Sequence, residues 1–246
     1  MSFSKAADEL HVTPAAVSHQ IHTLEEALGV RRLRAHTDTG TLTVTASPSI
    51  AAKWLVLRLH RFQEQHPEID VRISATDEVV DLTRGDFDIA IRYGRGKYPG
   101  LDVELLFTNE VFPACSPQLL SMSPPLRSPD DLPRHTLIHD QAEARDPLLP
   151  TWPMWLKAAG VKSLPAGPGL TFNSMSLALD AALAGQGVVL AYSNIAAADL
   201  AAGRLVRLFS LALPDQFAYY IVTAPGALER PKVRAFRNWL RQEADQ

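Results

Sequence analysis

The sequence predicts an α/β protein: an N-terminal helix-turn-helix fragment followed by a two-lobed α/β unit. Three observations predict it. Residues 1–30 repeat their apolar side chains at helical spacing. From Gly40 that period gives way to short apolar runs alternating with helical stretches. Residues 121–136 hold Pro124, Pro125, Pro129 and Pro133, a break that reads as the crossover into a second lobe.

Ser4–Leu10 reads as a short helix, with Ser2 or Ser4 as its N-cap and Phe3, Ala6, Ala7 and Leu10 on one face. His11-Val12 is a tight turn. Thr13 is a good N-cap for a second helix, and Pro14 fits its first position. Val17, Ile21, Leu24 and Leu28 form its buried stripe, and Gly29 ends it. The other face presents Ala15, Ser18, His19 and His22. Small residues there let a backbone approach bases, and Ser, His and Gln reach base edges or phosphates. A helix pair of this shape enters a DNA major groove or is simply structural. Charge does not separate the two: in residues 1–36, Lys5, Arg31, Arg32 and Arg34 are balanced by Asp8, Glu9, Glu25 and Glu26.

A length of 246 residues allows one large domain or two smaller ones. A hydrophobic content of 46% and a charged content of 21% are ordinary for a soluble globular chain. The net charge of −3 leaves local nucleic-acid binding open. The single cysteine, Cys115, excludes an internal disulfide and a multi-Cys zinc site; it suits the cytoplasm and reads as a small buried hydrophobe. No apolar run is long enough for a membrane span, and the polar start does not read as a signal peptide.

Thr41–Ala46 is β-prone. Ser47-Pro48-Ser49 offers caps and an N1 proline for a helix carrying Trp54, Leu55, Leu57, Leu59 and Phe62, ending near His66-Pro67. Ile69–Ser74 and Phe87–Arg92 are strands, with a short helix around Val79–Thr83 between them. Strand and helix in alternation imply parallel crossovers. Leu101–Phe112 supplies one or two further strands. In the second lobe, Thr136–His139, Leu170–Phe172 and Val188–Leu190 read as strands and Pro153–Ala159 as a helix. Asn173–Ser176 caps a helix with Leu177, Ala181, Leu183 and Ala184 inside. Phe217–Val222 is a last strand, and Pro231–Glu243 a closing helix with Val233, Phe236, Trp239 and Leu240 as its stripe.

In an open α/β sheet, ligands sit at the carboxyl ends of strands beside helix N-termini. Two such starts, Ser47-Pro48-Ser49 and Asn173-Ser174-Met175-Ser176, present hydroxyls, amides and free N–H groups suited to a carboxylate. Thr76, Tyr93, His139 and Tyr192 follow strands. The candidate effector residues are therefore Ser47, Ser49, Thr76, Tyr93, His139, Asn173, Ser174 and Tyr192, facing a small organic acid or an amino acid. The same Ser and Asn residues also serve as plain helix caps. Enzyme readings are weaker. The histidines are scattered without metal-ligand spacing, no G-x-S-x-G elbow occurs, and Pro99 interrupts the phosphate-loop reading of Gly94-Arg95-Gly96. Asp77-Glu78 reads as a solvated pair, and Trp152 and Trp155 as core. No catalytic residue, metal or cofactor is expected.

The segment SFSKAADELHVTPAAVSHQIHTLEEALGV resembles the helix-turn-helix of LysR-type transcriptional regulators, in register through Ala6-Ala7, Leu10–Val12, Ala16–Ile21 and Leu24-Glu25. FDIAIRYG (87–94), EVFPACSP (110–117) and GQGVVL (185–190) are similar to the effector-binding domain of the same family, itself similar to periplasmic solute-binding proteins. The closest flavour is the glycine-cleavage-activator branch. The resemblance implies that Thr13, Pro14, Ala15, Ser18, His19 and His22 read operator DNA. It also implies a homo-oligomer, contact with RNA polymerase, a cytoplasmic location and no membrane.

Family members carry a helix before the Phe3 position, then a wing and a long linker helix after the Gly29-Val30 position. Residues 31–39 are too few for a wing and a linker helix of about 20 residues, which would span about 30 Å. The expected division is therefore 1–30 as a partial head, 31–39 as a truncated linker and 40–246 as the effector domain. Lobe I falls at about 40–118 and 215–246, and lobe II at about 119–214. The function expected is a DNA-binding regulator controlled by a small molecule held between the lobes. The alternative is a cytoplasmic ligand-binding module whose shortened head no longer binds DNA. A solute-binding protein is a third reading, opposed by the polar start.

Overall fold

A computed structural model describes Thr13 and residues 40–121, 124–141, 146–162 and 169–245. Chain contacts divide the protein into two units, Met1–Thr37 and Asp38–Gln246. All the helix-turn-helix expectations except Thr13, which is exposed, lie outside the described residues.

The larger unit is built on one mixed sheet. Its strands are β1 (Leu42–Ala46), β2 (Val71–Ala75), β3 (Ile89–Gly94), β4 (Asp102–Cys115), β5 (Leu137–Asp140), β6 (Leu170–Phe172), β7 (Val188–Tyr192), β8 (Val206–Arg207) and β9 (Leu213–Thr223). They lie in the order β2-β1-β3-β9-β4-β7-β5-β6, with β8 beside β4. The expected parallel crossovers are present in each half: β1 pairs parallel with β2 and β3, and β5 with β6 and β7. The long strands β4 and β9 join the halves antiparallel. All of the expected Leu101–Phe112 stretch but Leu101 is thus part of one fourteen-residue strand. Its register with β9 shifts between Leu105 and Phe107 and between Thr108 and Glu110. Bulges of this kind bend a strand and increase its twist.

The helix expected after Ser47 is interrupted. It begins as α1 (Pro48–Ile50), passes through a π-helical turn (Ala51–Leu55) and resumes as α2 (Leu59–Gln65). The π turn closes through Val56 N donating to Ala51 O at 3.0 Å. The extra residue rotates the helical face, so Val56 and Leu57 are exposed while Trp54, Leu55 and Phe62 are buried. The short helix expected at Val79–Thr83 is a 3-10 turn at Leu82–Arg84, and Val79 is fully exposed.

The second half adds α3 (Pro117–Leu120), α4 (Trp152–Ala158), α5 (Met175–Leu183) and α6 (Ser193–Ala201); α7 (Pro231–Ala244) closes the chain. In α5, Met175, Ala178, Leu179, Ala181 and Ala182 are buried, whereas Leu177 and Ala184, expected inside, are exposed. The stripe of α7 is as expected: Val233, Phe236, Trp239 and Leu240 are buried. Phe62 meets Phe236 edge-on at 4.9 Å between centroids. Trp152 and Trp155 are core, with Trp152 Nε1 donating to Ile138 O at 2.9 Å. Cys115 is fully buried, and burial pushes its thiol up to about 11.

Candidate functional site

At the carboxyl end of β1 the chain turns through Ser47 into α1, with Pro48 at the first helical position. The Ser47 side chain makes no cap bond. Its Oγ is buried and completes no hydrogen bond of good geometry; the Tyr219 phenol faces it. Ser49 reaches the other half of the sheet. Its Oγ lies 3.3 Å from Ser174 Oγ and accepts from Ser176 N at 3.2 Å. Ser174 Oγ and Ser176 Oγ are 2.8 Å apart. Ser174 occupies the N-cap position of α5, again without a side-chain cap bond. Ser49, Ser174 and Ser176 therefore share one hydroxyl network across the two halves. One turn beyond Ser49, Lys53 Nζ lies 2.6 Å from Asp180 of α5 and 3.6 Å from Asp199 of α6.

A second group of side chains collects where β3, β7 and β9 converge. Tyr93 donates its hydroxyl to Asp215 Oδ2 at 2.7 Å, and Phe217 N donates to Asp215 Oδ1 at 3.0 Å. The Tyr93 ring centroid lies 5.9 Å from that of Tyr192, 5.1 Å from Tyr219 and 5.6 Å from Phe217. Burial pushes the Tyr93 and Tyr219 phenols far above the ordinary phenol range. Burial also raises the Asp215 carboxyl, against the hydrogen bonds from Phe217 N and Tyr93.

Successive strand residues face opposite sides, and Arg92 accordingly serves the far face of β3. Its guanidinium donates to Thr45 Oγ1 at 2.7 Å and to Thr76 O at 3.1 Å. Burial lowers its pKa. Thr76 Oγ1 accepts from Glu78 N at 3.1 Å, a local turn bond.

Of the eight expected effector residues, the structure joins Ser49 to Ser174 and Tyr93 to Tyr192, and Tyr219 links Ser47 to the tyrosines. Thr76 sits beside the end of β1, with its N donating to Ala46 O at 2.9 Å. His139 lies in β5 and Asn173 just ahead of α5. The His139 ring packs where a side chain at Gly169 would fall, and Asn173 is exposed. The sequence reading missed Asp215, Tyr219, Ser176 and Lys53. Lys53 was findable, because it lies four residues from Ser49 on one helical face. Asp77 and Glu78 are exposed, as a solvated pair should be. Grooves of about 390 Å³ between α2 and α7 and about 300 Å³ at Asp102, Glu104 and Arg237 share no residue with either group. Among the described residues no cluster of His, Cys, Asp or Glu is arranged to hold a metal, and no helix is long and apolar enough to cross a membrane.

An α/β sheet of this order, behind a chain segment patterned as a helix-turn-helix, defines a ligand-responsive DNA-binding regulator. The family model for the LysR substrate binding domain matches residues 35–245, and that for the bacterial regulatory helix-turn-helix protein of the lysR family matches residues 1–47. The chain belongs to the LysR family of transcription regulators. It is 39% identical to the glycine cleavage system transcriptional activator of Escherichia coli K12, over 99% of this chain and 89% of that protein. That alignment runs over 278 residues, so the relative carries residues with no counterpart in this chain. Two solved structures share the fold of the larger unit. The AmpR effector domain of Pseudomonas aeruginosa is 33% identical with a TM-score of 0.67, covering 83% of this chain and 96% of that one. The AmpR effector binding domain of Citrobacter freundii is 28% identical with a TM-score of 0.69, covering 84% and 98%.

Proposed function

We propose that this regulator is switched by a small organic acid or amino acid bound where the two sheet halves meet. Ser47, Ser49 and Ser174 take its acidic end, Tyr93 and Tyr192 line its side, and Thr76, His139 and Asn173 border the site. The carrying observation is the contact between Ser49 and Ser174, which brings together hydroxyls 125 residues apart from opposite halves. Lobe I then comprises β1–β3 and α7, lobe II comprises β5–β7 with α4 and α5, and β4 and β9 connect them. A ligand binding one arrangement of the lobes better than another shifts their equilibrium by its differential affinity. That shift reaches DNA through the head, where Thr13, Pro14, Ala15, Ser18, His19 and His22 read the operator. The relatives are named as transcriptional activators, which supports reading this chain as a transcription regulator; on the same reading it is a cytoplasmic homo-oligomer that engages RNA polymerase and performs no catalysis.

The test is a thermal-shift screen of small carboxylic acids and amino acids on the full chain and on the Ser49→Ala/Ser174→Ala variant. A ligand at about one hundred times its Kd stabilises by about 2.7 kcal/mol, several degrees for a domain of this size. The proposal expects at least one compound to produce such a shift in the wild type, and at least a tenfold weaker response in the variant. An undiminished response in the variant places the ligand elsewhere.

A further inference from the structure

Among the described residues, the three buried acids are each paired with two cations. Asp88 has Arg230 and Lys232, Asp199 has Lys53 and Arg204, and Glu243 has Arg58 and Arg61. Asp215 breaks that rule. Its carboxylate is partly buried and receives only the Tyr93 hydroxyl and the Phe217 N–H; among the described residues no cation pairs with it. Arg95 lies over the Phe217 ring at 5.1 Å, but its guanidinium is committed to Asp146. Two neutral donors leave this partly buried carboxylate without a counter-ion among the described residues. The Tyr93 ring, whose hydroxyl reaches Asp215, packs against Phe217 and Tyr219 with centroids 5.6 and 5.1 Å away, and an ammonium is attracted to aromatic faces. The Tyr219 phenol also faces Ser47, whose buried hydroxyl lacks a well-formed partner.

We infer that Asp215 is the counter-charge for an ammonium group on the effector, which makes the effector an α-amino acid rather than a simple organic acid. This rests on the effector reading above, in which the serine hydroxyls take the acid end. The ammonium then completes the pairing that Asp215 lacks among the described residues, and the Tyr93 hydroxyl holds the carboxylate in place to receive it.

The test uses ligand pairs that differ only by the amine: glycine and acetate, alanine and propionate, serine and glycerate, aspartate and succinate, glutamate and glutarate. Each is titrated calorimetrically into the full-length wild type, Asp215→Asn and Tyr93→Phe. The assignment predicts that an amino acid binds at least tenfold more tightly than its amine-free partner. That preference falls to about twofold or less in Asp215→Asn, and Tyr93→Phe reduces it part-way. If Asp215→Asn does not fold, Tyr93→Phe decides: an unchanged preference for the amine overturns the assignment. It is equally overturned if acid and amino acid bind alike, if the preference survives in Asp215→Asn, or if no amino acid binds. An acid that binds without amine preference, and loses affinity in Ser49→Ala/Ser174→Ala, removes the role of Asp215 while leaving the effector site standing.

Discussion

Asp88, just before β3, and Asp215, in the adjoining strand β9, are two carboxylates with opposite surroundings. Asp88 is buried, which alone would raise its pKa. The Thr43 N–H and the charges of Lys232 and Arg230 outweigh burial and hold it below the ordinary carboxylate range. Its contribution to stability is therefore full above the unfolded value of about 3.9, and is lost as pH falls through the folded value. Asp88→Asn leaves Lys232 buried beside an amide, and we expect it to cost about 3–5 kcal/mol in urea unfolding at pH 7. Asp215 carries the reverse sign. Burial raises its pKa, so its share of stability is present below the unfolded value and declines as pH rises through the folded one. The ligand-free Asp215→Asn protein should consequently gain melting temperature relative to wild type at pH 7 and gain less at pH 4. A loss at pH 7 would show that the carboxylate is already compensated within the chain.

Elements are held by backbone approach as much as by side chains. Gly187 opens β7, and a side-chain carbon there would fall 2.3 Å from Thr136 O, the residue just before β5. That neighbour is backbone and has little freedom to move, so Gly187→Ala should destabilise by about 2 kcal/mol or more in chemical unfolding, with overpacking as the mechanism. Ala at Gly203 meets no atom within 4 Å and serves as the comparison, strained only by its φ of +66°. The strands and α7 were legible in the sequence because their apolar residues keep a clean period; Val233, Phe236, Trp239 and Leu240 all point inward. The π-helical turn was not legible, since one inserted residue leaves composition unchanged and moves Leu57 from the inner to the outer face. The helix Ser193–Ala201 was also missed. Its run of alanines carries no stripe, and packing against β7 and the π turn, not periodicity, fixes it. Asp215 escaped notice because it precedes the apolar run that marks β9, and its partner Tyr93 lies 122 residues away.

For the whole molecule, the sheet order explains how a ligand and a regulator share one chain. Each half is built on parallel strands, and among the described strands β4 and β9 join the two halves. Lys53 bridges to Asp180 and Asp199 across the same junction as Ser49 and Ser174. The head was readable from residues 1–30 by its motif, and the family matches place it in the LysR group. The two matches overlap at residues 35–47, which takes in the end of the expected linker (31–39) and the start of the expected effector domain. The account therefore stands or falls on whether this chain grips a specific DNA site. The most direct measurement is fluorescence anisotropy of the full chain on labelled duplex from its own upstream region, against a scrambled duplex, at two salt concentrations. The account predicts binding to the upstream site at least a hundredfold tighter than to the scrambled one, with both weakened by salt as phosphate contacts require. Equal, weak and salt-sensitive binding to the two duplexes would contradict it.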